Sequence, residues 1–159
     1  MQPEHLGLTR EEAHSLAVLG EVKFSIVYDR KTSSLKLSII KAEQLAKGLT
    51  QRQQLHLYIK SCLLPEKKHK YETKAVKGTH DPHFNEEFIF NDITLENIQE
   101  NALRMRVYNR KALLGEIVLP LECLGLEHGE EVRMWRDLEP RASSHVCLAI
   151  HSAGCNLSN

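Results

Sequence analysis

An all-β fold, an eight-stranded antiparallel β-sandwich, is predicted by two features of the sequence. Apolar and polar residues alternate with a period of two along most of the chain, and turn signals separate the alternating segments. No long helical pattern is present that would connect parallel strands. The 159 residues, 42% of them hydrophobic, suffice for one buried core. We therefore expect one domain, 20–140, between a segment containing a short helix, 1–19, and a tail, 141–159.

Apolar residues two positions apart share one face of a sheet, and this spacing predicts the strands. The alternation begins at Val22, resumes after the polar turn 29–34 and resumes again after the loop 44–54. A basic strand within 65–77, an aromatic strand with Phe84, Phe88 and Phe90, and the segments 103–108, 113–119 and 132–138 complete the sandwich. The inward-facing residues predicted for the alternating strands are Val22, Phe24, Ile26, Tyr28, Leu35, Leu37, Ile39, Leu55, Leu57, Ile59, Phe84, Phe88, Phe90, Leu103, Met105 and Val107.

Short helical segments are expected outside the strands. Thr9 and Glu12 have the spacing of a capping box, which predicts a helix ending at Gly20. The polar connection 91–100 has room for one helical turn, and Pro120 suits the first position of another. The segment 145–151 is compatible with an extra strand, with the first strand of a second domain, or with the end of a shortened product. The residues after it are expected to be disordered.

Composition excludes several functional classes. Lys plus Arg and Asp plus Glu number 21 each, so no net field attracts nucleic acid. Four scattered cysteines and nine histidines lack the spacing of zinc ligands, and reduced thiols are expected. No apolar stretch approaches a membrane span, and the first residues do not resemble a secretion signal. We expect a cytoplasmic protein, without a cofactor, that is neither inserted nor secreted.

No enzyme motif is present: the sequence has no GxSxG, no P-loop and no Cys/His signature. Catalysis is therefore not expected.

A resemblance to a known family rests on seven ordered segments. They are GEVKFSIVYD, SSLKLSIIKAEQL, YIKSCLLPEKKHKYETK, DPHFNEEFIF, MRVYN, LLGEIVLPL and WRDLE. Together, over about 20–140, they resemble a synaptotagmin-type C2 domain of type I topology. The resemblance implies three loops at one end of the sandwich, a basic strand on its concave side, and a role in membrane or vesicle trafficking of the exocytosis type.

In that family the loop end binds calcium, which needs six to eight oxygen ligands. Each position that matches a family aspartate lacks a carboxylate here, and Lys111 beside Arg110 adds positive charge where the cation would lie. We predict no calcium binding. Asp81 matches a turn position of the family and not a ligand. The degenerate positions are Thr50 (or Leu49, depending on the alignment), His56, Asn109, Lys111 and Ala112.

The basic strand is the feature that best survives as a binding site. The resemblance implies contact with anionic phospholipid or with acidic partner proteins through this face. Glu66 and Glu72 lower its charge, and a solvated edge strand kept soluble by lysines is the alternative interpretation. The candidate binding residues are Lys60, Lys67, Lys68, Lys70, Lys74 and Lys77.

Apolar side chains offer two other kinds of contact. Leu49, Leu113 and Leu114 are apolar candidates for loop insertion into a bilayer, but Leu113 and Leu114 fit better as the start of a core strand. Trp135 is expected at a buried or half-buried core position, with an exposed docking point as the alternative. Nucleic-acid binding is not expected, because the basic segment lacks interleaved exposed aromatics.

We therefore expect a calcium-independent module that is peripheral at membranes and binds anionic phospholipid weakly, trafficking proteins, or both. The rival hypothesis is a protein-interaction or dimerisation domain that does not bind lipid. Since a single weak module gains no avidity from a tandem partner, self-association would strengthen its binding.

Overall fold

The computed structural model describes residues 19–141, in which nine strands form two antiparallel sheets packed face to face. One short α-helix, α1, is Leu95–Glu100, and the 3-10 helices are Arg52–Gln54, Leu121–Leu124 and Leu126–His128. The strands are β1 Glu21–Asp29, β2 Ser34–Glu43, β3 His56–Leu64, β4 Lys68–Glu72, β5 Val76–Lys77, β6 His83–Phe90, β7 Ala102–Asn109, β8 Ala112–Pro120 and β9 Val132–Asp137.

The first sheet has the strand order β6-β2-β1-β9, and the second has the order β4-β3-β7-β8, with the short β5 also paired to β3. The predicted antiparallel sandwich is confirmed. The structure adds one strand, β5, whose two residues are too few to produce an alternation in the sequence. The predicted helix after Thr9 and the segment 145–151 lie outside the described residues.

The core lies between the sheets because alternate side chains of each strand face inward. Phe24, Leu37 and Ile59, from strands of both sheets, are fully buried. Burying a side chain of this size contributes roughly 1.5–3 kcal/mol, so the inward rows stabilise the sandwich. The same alternation holds in β6, where Phe90 is fully buried and the adjacent Ile89 faces outward and is 49% exposed.

Tyr71 of β4 joins the two sheets along an open side of the sandwich. Its ring stacks on Phe88 with centroids 5.0 Å apart and lies 5.1 Å from the ring of Phe90. Its hydroxyl also donates to the backbone carbonyl of Ile89. These contacts fix β4 against β6 although the two strands belong to different sheets.

Helix α1 occupies the predicted polar connection, where Thr94 begins it with a capping box completed by Asn97. Ile98 is the buried residue of this helix. The hydroxyl of Tyr28 donates to the carbonyl of Ile93 at 2.5 Å, which fixes the preceding segment to β1. The turn predicted to follow Pro120 is present as 3-10 helices.

Three connections meet at the other end of the sandwich, which we call the loop end. Loop 1 is residues 44–55, loop 2 is residues 73–82, which include β5, and loop 3 is residues 110–111. Two backbone hydrogen bonds join loops 1 and 2. The N–H of Leu45 donates to the carbonyl of His80, and the N–H of Gly78 donates to the carbonyl of Leu55. Loop 3 is joined at His56, whose carbonyl accepts from the N–H of Arg110.

Candidate functional site

Arg110 holds loop 3 against loop 1. Its Nε donates to the carbonyl of Gln54 at 3.2 Å, and its Nη2 donates to the carbonyl of Gln53 at 3.4 Å. Its own carbonyl accepts from the hydroxyl of Tyr58 at 2.6 Å. The guanidinium therefore lies between the two loops and interacts with backbone oxygens of loop 1.

Asn109 makes a second link across the loop end. Its side chain is buried, and its Oδ1 accepts from the backbone N–H of His56 at 2.8 Å. An amide oxygen in this position satisfies a backbone donor that the β3 ladder leaves without a partner. The Asn109 side chain thus serves a structural bond between β7 and β3.

The five positions predicted to match family calcium ligands lie at or beside this end. Thr50 is exposed in loop 1, while His56 begins β3 and Asn109 ends β7. Lys111 and Ala112 are both exposed, the second as the first residue of β8.

Loops 1, 2 and 3 together contain one carboxylate, that of Asp81. Its Oδ1 accepts from the backbone N–H of Gln44 at 2.9 Å, and its own N–H donates to the hydroxyl of Thr79. Both bonds fix the conformation of loop 2, as expected for a turn residue. Within residues 19–141, no three His, Cys, Asp or Glu side chains are close enough together to hold a metal ion.

A basic face lies on the outer side of the second sheet, and we define it as Lys60, Lys70, Arg104 and Arg106. Lys60 is exposed on β3 and lies opposite Arg106 of β7 in the strand register. Arg104 lies opposite Cys62 of β3. Lys70 comes from β4, which pairs with β3 on its other side. Three strands therefore contribute cations to one surface.

Two stacked aromatic rings support Lys60. The rings of Tyr58 and Tyr108 are nearly parallel, with centroids 5.4 Å apart. The Nζ of Lys60 lies 5.2 Å from the Tyr108 centroid and 6.0 Å from that of Tyr58. Cation–π attraction at such distances is worth about 0.5–1 kcal/mol at an exposed site, and it helps to hold the ammonium group over the sheet.

Two acids lie among these cations. Glu72 of β4 is opposite Lys60 in the strand register. Glu116 of β8 is opposite Arg106, and their Oε2 and Nε atoms are 3.5 Å apart. The Glu116 side chain is only 2% exposed, against 17% for Arg106, so this ion pair lies below the surface.

The structure does not gather all six predicted lysines on this face. Lys68 lies opposite Leu63 beyond a β-bulge, pairs with Glu66 at 2.5 Å, and lines a cavity of about 390 Å³ beside α1. Lys67 is exposed in the turn before β4, at the end opposite the loops. Lys74 and Lys77 follow β4 and belong to loop 2. Lys60 and Lys70 are the predicted residues that remain together.

Arg104 and Arg106 were not among the predicted site residues. The sequence signal for them exists, since the alternation in LRMRVYN points both outward. It shows which way the arginines face, but not that β7 lies next to β3. Only the register brings them beside Lys60.

Trp135 is half-buried, but it lies outside the core. Its neighbour Met134 packs against the core, so the indole ring lies on the outer side of the first sheet. The Nζ atoms of Lys23 and Lys41 lie 5.9 and 5.5 Å from its centroid. The expected core position is corrected here to a half-buried site between two lysines.

Leu113 and Leu114 lie within β8, as the core-strand interpretation expects, and Leu49 is half-buried in loop 1. Cys62 is buried and Cys123 is half-buried, while the remaining two cysteines lie outside the described residues. Among residues 19–141, no helix has the length and apolar character that a membrane crossing requires.

Comparison with known proteins identifies relatives for most of the chain. Residues 33–138 match the family described as C2 domain. Synaptotagmin-7 of Homo sapiens is 34% identical over 143 residues, covering 84% of this chain and 34% of that protein. Synaptotagmin-B of Diplobatis ommata is 35% identical over 151 residues, covering 88% of this chain and 34% of that protein. The chain thus spans about a third of the length of these curated relatives.

Solved structures show the same fold. The crystal structure of a C2 domain of RIM2 is 26% identical with a TM-score of 0.66, covering 77% of this chain and 98% of that chain. The third C2 domain of the KIAA1228 protein is 23% identical with a TM-score of 0.69, covering 80% and 92%.

The calcium ion implied by the resemblance does not fit these residues. Calcium takes six to eight oxygen ligands, with carboxylates supplying charge. Asp81 is committed to loop structure, and Asn109 Oδ1 already accepts a backbone hydrogen bond. The carbonyls of Gln53 and Gln54 accept from Arg110, which brings a positive charge between loops 1 and 3. A divalent cation would meet a like charge and oxygens that are already bonded.

Proposed function

Because the chain belongs to the C2 domain family and is related to the synaptotagmins, we propose that it is a non-catalytic, calcium-independent module of membrane or vesicle trafficking. It binds anionic phospholipid weakly, acidic partner proteins, or both, through the basic face. It acts in the cytoplasm, at the surface of a membrane.

The observation that carries this proposal is the convergence of cations from three strands. Lys60, Lys70, Arg104 and Arg106 come from β3, β4 and β7 and share the outer side of one sheet. Arginine and lysine donors suit phosphate and carboxylate groups, and arginine can bind either in a bidentate manner. The ring pair under Lys60 restrains its side chain before binding.

The same face predicts modest affinity. Each lysine or arginine near an anionic leaflet contributes about 1 kcal/mol, and this attraction is screened by salt. Glu72 opposes part of it, and Arg106 is partly neutralised by Glu116. We expect reversible attachment that weakens as ionic strength rises.

Independence from calcium is supported by the loop end. Its three loops contain one carboxylate, Asp81, and that group is used inside the protein. Arg110 already joins loop 3 to loop 1 by hydrogen bonds. Membrane binding therefore does not depend on a divalent ion to order the loops or to neutralise acids.

The experiment compares two pairs of lysine substitutions for binding to phosphatidylserine vesicles. Lys60→Gln with Lys70→Gln removes two charges from the basic face, and Lys31→Gln with Lys36→Gln removes two from the first sheet and its turn. The first pair is expected to weaken binding roughly 30-fold, at about 1 kcal/mol per charge, and the control pair much less. Equal effects of the two pairs would refute the basic face as the lipid site.

The rival function, a protein-interaction domain that does not bind lipid, is favoured by the stacked Tyr58 and Tyr108. Tyrosine is enriched in protein interfaces, where its ring provides a large apolar contact area together with a polar tip. A protein partner held through these rings would retain binding at salt concentrations that release an anionic vesicle.

A further inference from the structure

The cavity of about 390 Å³ beside α1 lies at the end of the sandwich opposite the loop end. Cavities that hold small ligands measure roughly 300–1,000 Å³, so this one has room for a single side chain or a small molecule. Part of its lining is apolar, because Leu63 and Ile93 are buried and contribute hydrophobic side chains. The lining residues are Leu63, Pro65, Glu66, Lys68, His69, Asp92, Ile93, Asn97, Glu100 and Asn101.

Carboxylates outnumber ammonium groups around this cavity. Three acids line it, Glu66, Asp92 and Glu100, against one lysine, Lys68, with His69 counted as neutral. Glu66 and Lys68 form an ion pair with each other, in which Oε2 and Nζ are 2.5 Å apart. Within residues 19–141, the carboxylates of Asp92 and Glu100 form no ion pair. Two negative charges are therefore left for a ligand.

The excess of negative charge belongs to the cavity and not to this whole end of the sandwich. Arg30 and Lys31 in the turn between β1 and β2, and Lys67 in the turn before β4, lie at the same end but do not line the cavity. A group that enters the cavity approaches Asp92 and Glu100 more closely than these cations, and attraction falls with distance. A positively charged occupant is therefore favoured.

Hydrogen bonds hold two walls of the cavity in place. The hydroxyl of Tyr28 donates to the carbonyl of Ile93 at 2.5 Å, and the N–H of Ile93 donates to the carbonyl of Ser33 at 2.8 Å. The N–H of Asn101 donates to the carbonyl of Asn97 at 2.8 Å and ends α1. Because these segments are fixed before binding, a ligand gains affinity without first having to order them.

An arginine side chain matches the chemistry of this lining. Its aliphatic stem can cover Leu63, Pro65 and Ile93 while its charged end reaches the carboxylates. The planar guanidinium has five N–H donors, which suits two carboxylates together with an amide oxygen such as that of Asn101.

The cavity is also open to another protein. Pro65, Glu66, Asp92 and Glu100 are exposed, so a side chain that projects from a partner's surface can enter between them. A pairing of this kind resembles the anchor residues of protein interfaces, among which arginine is enriched.

We propose that this cavity receives an arginine side chain of a partner protein, with its guanidinium group paired to Asp92 and Glu100. The inference does not rest on the basic face or on lipid binding, since the cavity lies elsewhere and its ligand has the opposite charge. The two sites together would link an anionic surface to a protein with an exposed arginine.

The first test is a nuclear magnetic resonance titration of the ¹⁵N-labelled chain. The probe is a capped five-residue peptide with arginine at its centre and glycine and serine on both sides. It is expected to shift the amide signals of Ile93 and Asn101, whereas the same peptide with citrulline, which is uncharged and similar in shape, is expected not to. Equal shifts with both peptides, or no shift at these two amides, would overturn the inference.

The second test removes the two carboxylates. Asp92→Asn with Glu100→Gln changes exposed side chains, and asparagine tolerates the φ of 58° at position 92. The matched control is Glu96→Gln with Glu122→Gln, two exposed acids, on α1 and on the 3-10 helix packed beside it, that do not line the cavity.

The dissociation constant of the arginine peptide is expected to rise on the order of tenfold in the cavity variant and less than about twofold in the control. Equal effects of the two pairs would show that only general charge matters and would refute the cavity as the site.

Spermidine, a free polyamine, tests the other source of a small cation. If spermidine shifts the amides of Ile93 and Asn101 and the arginine peptide does not, the assignment to a protein side chain is wrong. A peptide that fails to bind leaves the proposed function standing, because that function is tested by the Lys60 and Lys70 substitutions. A failure of the vesicle experiment leaves the cavity inference standing in turn.

Discussion

The Nε atom of Arg110 donates to the backbone carbonyl of Gln54 across 3.2 Å, and this bond joins the third loop of the sandwich to the first. The relationship matters because Thr50 and Lys111, two of the positions predicted to match family calcium ligands, lie in the same two loops. Here a guanidinium that is part of the chain makes the connection. The three loops are therefore joined to one another and carry an excess of lysine and arginine over acidic residues.

Arg110→Ala is expected to loosen loop 1. Two hydrogen bonds to the carbonyls of Gln53 and Gln54 are lost, each worth about 1 kcal/mol at most at an exposed site. Amide hydrogen exchange across residues 52–57 should quicken, with a loss of about 1 kcal/mol in the free energy of unfolding. Lys111→Ala is the control, and equal exchange in the two variants would contradict the bridging role of Arg110.

Asn109→Ala is expected to destabilise the fold by about 1–3 kcal/mol, because the N–H of His56 loses its acceptor beside a buried side chain. Asn109→Asp retains an oxygen at the same place and should cost less. Urea unfolding of the two variants measures the difference. If alanine and aspartate cost the same, the hydrogen bond to His56 is not the reason for an asparagine here.

Phe90→Ala is expected to cost about 3–5 kcal/mol, since the ring is fully buried and packs with Tyr71 at 5.1 Å. The adjacent Ile89 is 49% exposed, and Ile89→Ala should change stability by less than about 0.5 kcal/mol. The pair tests the register of β6, because a shift by one residue would exchange the two effects. Chemical denaturation with both variants decides it.

The stability of the fold is expected to depend on pH through Glu21. Burial, and then the neighbouring carboxylates of Asp137 and Glu43, raises the pKa of Glu21 above its ordinary value of 4.5. The folded chain therefore binds this proton more tightly than the unfolded chain does. The resulting penalty is absent below pH 4.5 and grows as the pH rises through the raised pKa of the folded state.

Glu21→Gln is accordingly expected to be more stable than the wild type at neutral pH, with the gain vanishing below pH 4.5. Unfolding in urea at neutral and acidic pH measures this. Glu122→Gln, an exposed carboxylate on a 3-10 helix, is the control. If the Glu21→Gln substitution instead lowers stability at neutral pH, the carboxylates do not repel.

Much of the sandwich can be predicted from the chain because burial is a local property of alternating strands. The inward positions of β1, β2 and β7 follow from single segments of sequence, since a residue two places along returns to the same face. The bulge in the pairing of β3 with β4 breaks this rule and moves Lys68 away from Lys70. A backbone irregularity of this kind leaves no periodic signal in five residues.

The candidate site was less predictable because it depends on which strands are neighbours. The placement of Arg106 opposite Lys60, and of Lys77 beside His56, is set by pairing between segments far apart in the chain. The sequence showed that Arg104 and Arg106 face outward. It did not show that β7 lies beside β3, which places the two arginines on the same surface as Lys60. The position of Trp135 was predicted wrongly for a related reason. β9 is an edge strand, and Lys23 and Lys41 from the neighbouring strands lie over the indole ring on its outer face.

Co-sedimentation of the chain with phosphatidylserine vesicles, in calcium and in chelator and at low and high salt, distinguishes attraction by fixed cations from attraction through a bound ion. We expect binding that is the same with and without calcium and that falls as salt rises, because fixed cations supply the attraction. Binding that appears only when calcium is added would contradict this expectation.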